Sequence, residues 1–323
     1  MSQASVTVVG SFNVDHVWRC ARLPRPGETL GGRYLSGPGG KGFNQAMASA
    51  RAGAATRFVC ALGEDAGGQL ARALAAAEGI ELHETRSSEP TGTAGIFVDA
   101  QGRNSIVIGP GANAALTPAD IEAEREALVH AAVVLAQLET PLPAVEHALR
   151  LAGAAGACTL LNPAPADVAL PQALLALVRI ATPNETEFCA WAQRQTGSAP
   201  DPDALAALAD AALHALCRRL LPQGTVVVTL GAAGCFVSHA DHARHGDALP
   251  CYRVPAAPAQ AVDTTGAGDA FNGALAASLA LEPQAPFAQH VRFASRYAAL
   301  SVERHGAALA MPRRAEVDAR FGP

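Results

Sequence analysis

The chain has 323 residues, of which 50% are hydrophobic and only 16% are charged. This composition supports a large buried core and excludes an intrinsically disordered chain. The net charge of −5 and the lack of a basic run argue against nucleic-acid and anionic membrane partners. No apolar run reaches the roughly 18 residues of a membrane span, and no signal peptide precedes the first apolar run. We therefore expect a cytoplasmic protein without nucleic-acid or membrane partners.

The cysteines and a group of histidines carry little functional signal. Seven cysteines are scattered without a CxxC pair, which indicates free thiols instead of a disulfide framework or a zinc site. His239, His242 and His245 lie in a polar, glycine-containing stretch without cysteine partners. We interpret this stretch as a solvated loop in preference to a metal cluster.

Short apolar runs alternate with alanine-rich helical runs along most of the chain. Residues 6–9, 57–62, 133–138, 158–161, 180–182 and 226–230 have the pattern of buried strands. Residues 44–52, 67–78, 142–154, 171–177 and 203–219 have helical patterns. This alternation predicts an α/β fold with a mostly parallel central sheet and helices on both faces.

Two segments interrupt this alternation. Residues 14–36 carry turn signals between short extended pieces, and residues 91–111 predict a hairpin with strands at 93–98 and 104–108. Neither segment is followed by a helix that could cover it. Together they predict a small separate sheet, whose open face would cover a substrate pocket or pack against a partner.

A glycine-rich turn near residue 267 is the most informative motif. Gly266, Ala267 and Gly268 lead into Asp269 at the start of a helical run. Small residues at a helix N-terminus expose backbone N–H groups that favour an anion such as a transferring phosphoryl group. Asp269 would stand beside that anion as the proton acceptor for an attacking hydroxyl. The alternative is a plain strand–turn–helix junction whose aspartate caps the helix.

A second glycine-rich turn covers residues 37–42 and precedes another helical run. Lys41 is followed by glycine, so the turn is not a Walker A loop, which would require serine or threonine there. Its glycines allow the backbone to approach a ligand, while Lys41 and Asn44 offer donors to hydroxyls or phosphate. The two turns together indicate phosphoryl transfer more strongly than either turn alone.

With these motifs the chain resembles the ribokinase-like, or phosphofructokinase-B, carbohydrate kinases. Residues 39–42 and 266–269 are similar to the two signatures of that family. Further similar segments occur nearly end to end, at residues 10–15, 26–29, 109–116, 137–139, 161–166, 182–187 and 229–234. The resemblance implies a three-layer α/β/α fold in which residues 1–323 form one kinase domain. It also implies that segments 14–36 and 91–111 form a lid over the sugar, which often clasps a second subunit as a homodimer.

The activity implied by the resemblance is ATP-dependent phosphorylation of D-ribose at O5. Asp269 would be the catalytic base, and Gly266, Ala267 and Gly268 would form the anion hole, although the family often has alanine at position 266. Alternatives are a kinase of the same fold for a nucleoside, deoxyribose or a hexose, and a non-catalytic sugar sensor. Phe43 stands where the family frequently has alanine, which suggests an altered sugar pocket. A dinucleotide-binding oxidoreductase is excluded because no GxGxxG follows the first strand.

Sugar recognition requires paired donors and acceptors, and the family's positions for this role are polar or glycine here. Asn13 and Asp15 alternate on one strand end and therefore face the same side. Glu139 follows a strand at its carboxyl end, where α/β sheets bind ligands. Taken alone, Asp15 could simply end a strand and Glu139 could be an exposed turn residue. The implied sugar-binding set is Asn13, Asp15, Gly39, Gly40, Lys41, Asn44, Glu139 and Asp269.

The resemblance also implies the nucleotide and cation sites. Mg²⁺ would be held through water by Glu187, although Asn184 and Glu187 also have the pattern of a helix N-cap. The family often has serine where Ala310 stands, which would leave a backbone oxygen as the cation ligand. ATP would be bound by Asn184, Thr229, Gly231, Gly234, Gly268 and Ser295, and K⁺ by oxygens of Asp263, Thr265, Ser301, Arg304, Gly306 and Ala310.

Overall fold

Strands and helices alternate along the chain in the structure, a computed structural model that describes residues 5–322. The strands are β1 (Ser5–Val9), β2 (Asn13–Arg19), β3 (Arg33–Gly39), β4 (Ala55–Gly63), β5 (Glu81–Ser87), β6 (Gly92–Val98), β7 (Asn104–Gly109), β8 (Val133–Ala136), β9 (Cys158–Leu161), β10 (Ile180–Ala181), β11 (Thr225–Thr229), β12 (Cys235–Ser238) and β13 (Cys251–Val254). The α-helices are α1 (Lys41–Arg51), α2 (Ala66–Ala77), α3 (Pro118–Ala123), α4 (Arg125–Val129), α5 (Leu142–Ala154), α6 (Gln172–Leu175), α7 (Glu185–Thr196), α8 (Asp210–Leu220), α9 (Ala267–Leu281), α10 (Phe287–Ser301) and α11 (Arg314–Phe321). None of these helices is long and apolar enough to cross a membrane.

Nine strands form the central sheet in the order β13-β12-β11-β10-β9-β8-β1-β4-β5. Neighbouring strands run parallel except that β12 is antiparallel to both β11 and β13. Successive residues of β1 point into different cores: Val8 lies in one hydrophobic cluster and Val9 in the other. Helices α1, α9 and α10 pack in the first cluster, and α5, α7 and α8 in the second. The predicted α/β/α arrangement with a mostly parallel sheet is confirmed.

The two interrupting segments form a second, four-stranded sheet in the order β3-β2-β6-β7. Strand β2 pairs antiparallel with β3 and parallel with β6, and β6 and β7 form the predicted hairpin. The hairpin turn is held by Asp99, whose carboxylate accepts hydrogen bonds from the backbone N–H groups of Gln101 and Arg103. The expected small sheet is therefore present, and we refer to it as the small sheet.

The predicted helix at residues 203–219 is interrupted in the structure. A 3₁₀ helix covers Pro202–Ala207, and α8 begins only at Asp210. The guanidinium of Arg253 donates hydrogen bonds to the carbonyl oxygens of Ala206 and Leu208, at 2.9 and 2.8 Å. These carbonyls are thus held by the neighbouring strand β13 instead of a continuous helical ladder.

The interpretation of residues 239–245 as a solvated loop is wrong for His239, which is buried. Its Nδ1 lies 2.9 Å from the hydroxyl of Thr225, and its Nε2 lies 3.0 Å from the carboxylate of Asp247. Burial, as the largest effect, lowers the pKa of His239 to about 4, so the ring is neutral at pH 7. Asp247 also accepts a hydrogen bond from the backbone N–H of Ala288, in the first turn of α10. The stretch therefore attaches α10 to the central sheet.

Candidate functional site

Two cavities meet at the carboxyl ends of the central strands. The larger has a volume of about 750 Å³ and the smaller about 140 Å³. Five residues line both cavities, which makes the start of α9 part of a shared boundary: Asn184, Thr229, Thr264, Ala267 and Gly268. Ligands of open α/β sheets bind at this edge.

The larger cavity is polar at the shared boundary and mostly apolar elsewhere, with Glu185 and Ser295 as further polar lining residues. Its apolar surface comes from Phe271 of α9, from the residues around Ala298 of α10, and from a run of small residues at 256–261. A cavity of this composition suits a flat aromatic base at one end and phosphates at the other. Every residue that the sequence assigned to the nucleotide lines this cavity: Asn184, Thr229, Gly231, Gly234, Gly268 and Ser295.

The smaller cavity is lined by three charged residues. Lys41 from the start of α1, Glu187 from α7 and Asp269 from α9 all line it. Lys41 keeps its positive charge: burial lowers its pKa, but the carboxylates of Asp269, Glu139 and Glu187 outweigh burial and raise the pKa overall. An ammonium group and a buried carboxylate therefore share one small space beside the first turn of α9.

Asp269 is buried and both of its carboxylate oxygens accept hydrogen bonds. Oδ2 accepts from Nδ2 of Asn44 at 2.9 Å, and Oδ1 accepts from Nε2 of Gln45 at 2.8 Å. Burial raises the pKa of Asp269, while Lys41 and the two amide donors act in the opposite direction. The carboxyl group is thus a stronger base than an exposed aspartate.

The amide side chains behind Asp269 were missed in the sequence. Gln45 accepts a hydrogen bond from Nε2 of Gln137 and donates to Oδ1 of Asn162 at 3.1 Å. Gln137 directly follows strand β8, and Asn162 directly follows β9. Their place at strand carboxyl ends is a signal that could have identified both of them.

The turn before α9 requires glycine at its first position. Gly266 has a φ of +74°, and a Cβ placed on it would lie 2.9 Å from the Cβ of Ala307. Of the three expected N–H donors, that of Ala267 already donates to the carbonyl oxygen of Thr264 at 3.2 Å. The first internal bond of α9 is donated by Ala270 to Gly266. The N–H groups of Gly266 and Gly268, the other two expected donors, and that of Asp269 therefore remain available to an anion at the first turn.

Glu139 holds the start of α1. Its Oε2 accepts hydrogen bonds from the backbone N–H of Lys41 at 3.0 Å and from the hydroxyl of Ser11 at 2.6 Å. A carboxylate is favourable at a helix N-terminus because of the helix dipole. Glu139 is therefore more than an exposed turn residue, since it connects the loop after β8 to the early glycine turn.

Asp15 on β2 lies in the electrostatic field of the same group. Burial raises the pKa of Asp15 to about 7, with smaller contributions from the negative charges of Glu139 and Asp269. A Cβ on Gly39 would lie 2.2 Å from the Asp15 carboxylate, so a larger residue there would displace that carboxylate. Asn13, two residues earlier, accepts a hydrogen bond from Nδ2 of Asn113 at 2.8 Å. The small sheet thus brings a second carboxyl group towards Asp269.

Gly40 and Phe43 shape the start of α1 in different ways. Gly40 is the N-cap residue with a φ of +86°, and a Cβ there would lie 2.8 Å from the backbone nitrogen of Asn13. Phe43 is fully buried, and its ring packs against those of Phe12 and Phe58 at centroid distances of 5.0 and 5.8 Å. The suggestion that Phe43 alters the sugar pocket is wrong, because its side chain belongs to the core.

Asn184 and Glu187 form a capping box at the start of α7. The side chain of Asn184 accepts from the N–H of Glu187, and the side chain of Glu187 accepts from the N–H of Asn184, both at 2.9 Å. The N-cap pattern is therefore confirmed, and both residues also line the smaller cavity. Burial raises the pKa of Glu187. Carboxylate, amide and hydroxyl oxygens at this point suit a hard cation such as Mg²⁺ that retains water ligands.

Asp263 joins the two segments assigned to the monovalent cation. Its Oδ1 accepts from the N–H of Thr265 and its Oδ2 from the N–H of Gly306, both at 3.0 Å. Burial raises the pKa of Asp263, but these hydrogen bonds outweigh burial and lower the pKa overall. The carboxylate and the nearby backbone carbonyls are oxygen donors of the kind that K⁺ requires.

The other residues assigned to this cation lie around the same junction. The carbonyl oxygen of Ser301 accepts a hydrogen bond from the N–H of Arg304 at 3.2 Å, and Ala310 is buried. The guanidinium of Arg304 forms an ion pair with Glu316. Arg304 therefore has only its backbone oxygen to offer a cation.

Comparison with known proteins gives a consistent result across the chain. The profile of the pfkB family carbohydrate kinases matches residues 3–314. The ribokinase of Haemophilus influenzae is 39% identical over 317 residues, which cover 97% of this chain and 96% of that protein.

Solved structures agree with the sequence comparison. The structure of ribokinase from Giardia lamblia has a TM-score of 0.86 and 30% identity, and the match covers 99% of both chains. The structure of Arabidopsis thaliana ribokinase complexed with ribose and ATP has a TM-score of 0.82 and 32% identity, with 98% of both chains covered.

Proposed function

The chain belongs to the pfkB family of carbohydrate kinases, and from this premise we propose that it transfers the γ-phosphoryl group of ATP to O5 of D-ribose. The ribose and ATP of the Arabidopsis complex support this choice of substrates. The observation that carries the proposal is the position of Asp269. Its buried carboxylate lines the smaller cavity beside Gly268, which lines both cavities.

In the proposed reaction, ATP occupies the larger cavity with its γ-phosphate at the shared boundary. The 5-hydroxyl of ribose transfers its proton to Asp269 while O5 forms a bond to the γ-phosphorus. The bond between that phosphorus and the bridging oxygen breaks, and ADP leaves. The N–H groups of Gly268 and Asp269 and the ammonium of Lys41 stabilise the negative charge of the transferring group. Each of these groups lies at the smaller cavity.

We propose that ribose lies between the small sheet and the start of α1. Asn13 and Asp15 reach it from β2, while Gly39 and Gly40 allow close approach of the backbone. The Oδ1 atom of Asn44 is buried and has no hydrogen-bond partner within residues 5–322, so it is ready to accept from a sugar hydroxyl. Lys41 and Glu139 complete the proposed set of sugar ligands.

The residues present fit both cations of the proposal. Glu187 would hold Mg²⁺ through water near Asn184, and Mg²⁺ would neutralise charge on the ATP phosphates. Asp263, with backbone oxygens of Thr265, Ser301, Arg304, Gly306 and Ala310, would hold K⁺. That cation would supply a fixed positive charge beside the turn before α9.

We propose that residues 1–323 form one kinase domain, in which the segments 14–36 and 91–111 act as a lid that joins two subunits. The proposed site of action is the cytoplasm, where ATP is available. Free thiols are the usual state of cysteine in that compartment, and all seven cysteines are free in the structure.

The decisive experiment is turnover by the Asp269→Asn variant with ATP and ribose. The substitution keeps the size of the side chain and removes its basicity, so we expect both substrates to bind while kcat falls by about 10²–10⁴-fold. Near-normal kcat in a preparation free of wild-type enzyme would overturn the assignment of the base.

A panel of acceptors tests the choice of sugar. D-ribose, deoxyribose, a nucleoside and a hexose are compared by kcat/KM with ATP as donor, and we expect D-ribose to give the highest value. A higher kcat/KM for any other acceptor would support a kinase with a substrate other than D-ribose. No turnover with any acceptor would favour the sugar-sensor alternative.

A further inference from the structure

Gln45 is the only side chain that contacts both Asp269 and the amides behind it among the described residues. Its Nε2 donates to Oδ1 of Asp269 at 2.8 Å and to Oδ1 of Asn162 at 3.1 Å. Its Oε1 accepts a hydrogen bond from Nε2 of Gln137. Gln45 and Gln137 are fully buried, so water does not compete for these bonds.

A backbone carbonyl fixes the direction of this chain of amides. Nδ2 of Asn162 donates to the carbonyl oxygen of Thr182 at 3.1 Å. Because a carbonyl can only accept, Asn162 must turn its own oxygen towards Gln45. Gln45 must then present its NH₂ group to Asn162 and, with the same nitrogen, to Asp269. A reversed Gln45 would place its oxygen against both of these oxygens.

We propose that Gln45 is a positioning residue for phosphoryl transfer, which holds the Asp269 carboxylate ionised and in a fixed plane so that Oδ2 accepts the proton of the sugar hydroxyl. This inference rests on the proposed function. Oδ1 of Asp269 accepts from Nε2 of Gln45. The direction of the Gln45 amide is fixed through Asn162 by the carbonyl oxygen of Thr182. Oδ2 accepts from Nδ2 of Asn44 at 2.9 Å, but Oδ1 of Asn44 has no partner within residues 5–322, so no second contact fixes the direction of the Asn44 amide.

Most of the charges around Asp269, together with burial, oppose ionisation of its carboxyl group. Four charged groups act on Asp269: Lys41 from α1, Asp15 from β2, Glu139 after β8 and Glu187 from α7. Three of the four are carboxyl groups, and burial further disfavours ionisation of Asp269. Lys41, Asn44 and Gln45 act against this trend. Among them, the direction of the Gln45 amide is fixed by the backbone.

The test is the pH dependence of kcat with saturating ATP and ribose. A hydrogen bond to a charged group is worth enough to move a pKa by about one to two units. We therefore expect Gln45→Leu to move the acid limb of the kcat profile upward by about one to two pH units and to lower kcat at high pH, where Asp269 is ionised but its plane is no longer fixed. Asn162→Ala leaves Gln45 in place but frees its direction, so it should move the limb the same way by a smaller amount.

Combining the substitutions tests whether they act through one bond. The double variant Gln45→Leu with Asn162→Ala should have the acid limb of Gln45→Leu alone. The matched control is Ser49→Ala, which removes a buried hydrogen bond to Thr56 from the same helix. Ser49→Ala should lower the unfolding temperature and leave the acid limb of the kcat profile unchanged.

The outcomes separate this inference from the proposed function. If the wild type does not phosphorylate ribose, or if Asp269→Asn retains turnover, the proposed function falls and the inference falls with it. If the wild type is active and the acid limb of Gln45→Leu coincides with that of the wild type, only the inference is overturned. If Gln45→Leu does not fold, the limb of Asn162→Ala decides: an upward shift supports the inference and an unchanged limb overturns it.

Discussion

Gly266 and Gly268 are separated by one residue, yet their surroundings are opposite. Gly266 has a positive φ and lies against Ala307, whereas a Cβ on Gly268 would meet no protein atom within 4 Å. The space beside Gly268 is the boundary shared by the two cavities. The first glycine is therefore required by the backbone, and we expect the second to be required by the ligand.

This difference gives a paired prediction. Gly268→Ala should leave the free energy of unfolding equal or higher by about 0.5–1 kcal/mol, because alanine favours a helix. Its methyl group enters the phosphate position, so kcat/KM for ATP should fall by about 10²-fold. Gly266→Ala should lower the free energy of unfolding by about 1–2 kcal/mol through its left-handed backbone. Thermal unfolding and steady-state kinetics of both variants check this. Equal stability of the two variants would contradict the distinction.

We expect Asp15 to make ribose binding dependent on pH. Its pKa of about 7 results first from burial and then from Glu139 and Asp269. We expect the ionised form to accept sugar hydroxyls, so affinity should be highest well above pH 7 and should be lost as the pH falls through 7. Between pH 8 and pH 6, we expect binding without ATP to weaken by about tenfold.

Calorimetry of ribose binding across this pH range measures the effect, and Asp15→Asn is the control. The variant cannot titrate, so its affinity should stay constant between pH 8 and pH 6. A constant affinity in the wild type, or the same slope in both proteins, would show that Asp15 does not control binding.

At the scale of elements, burial decides what could be predicted from the sequence. Strands β1, β8 and β11 are buried on both faces and therefore appear as valine-rich runs whose only polar residues are serine and threonine. Strand β5 lies at the edge of the sheet, and its polar sequence lacks such a run. Helix α10 was not assigned, because in an alanine-rich chain its buried side is hard to distinguish from neighbouring segments.

Site residues that belong to one local turn motif could be predicted from the sequence. Site residues that come together only in the folded structure could not. Gly266 and Asp269 belong to one motif. Gln45 lies 92 residues from Gln137, 117 from Asn162 and 224 from Asp269. No local pattern relates positions so far apart. The family resemblance identified Asn44 as a site residue. It did not identify the supporting amide side chains of Gln45, Gln137 and Asn162.

We expect kcat to depend on a monovalent cation that binds where Asp263 joins two segments of the chain. K⁺ bound to this carboxylate and the nearby carbonyls would order residues 262–266, which carry the turn before α9. We expect higher kcat in K⁺ than in Na⁺, and Asp263→Ala should remove this difference. Activity is measured in potassium, sodium and bulky organic cation salts at equal ionic strength. Equal activity in all three would contradict the site. A backbone oxygen at Ala310 should suffice as the last ligand.

At the scale of the whole molecule, the small sheet has apolar residues that the central core does not cover. Val17 pairs with Leu35 and Ile96, and Ile96 pairs with Ile106, so these side chains lie on one face together with Asp15. Trp18 stacks with Phe97 on the other face. An apolar sheet face of this kind favours association, and the neighbouring Asp15 connects it to the proposed ribose site.

We therefore expect a homodimer in which two small sheets pack through the face that contains Ile106, and strand β7 supplies a matched pair of variants. Ile106 is 50% exposed and lies on that face, whereas Val107 is 70% exposed and lies on the opposite face. Ile106→Glu should give a monomer in ultracentrifugation, and Val107→Glu should remain a dimer, although it replaces the more exposed apolar residue.

Closure of the lid gives the second readout of the same arrangement. Because phosphoryl transfer requires exclusion of water, ribose should protect residues 14–36 and 91–111 of the wild type from hydrogen exchange. Protection should be weaker in Ile106→Glu, since one subunit would no longer support the sheet of the other. A monomeric wild type whose exchange in both segments is unchanged by ribose would contradict both the dimer and the lid. A dimer that survives Ile106→Glu and dissociates with Val107→Glu would move the interface to the face of Trp18.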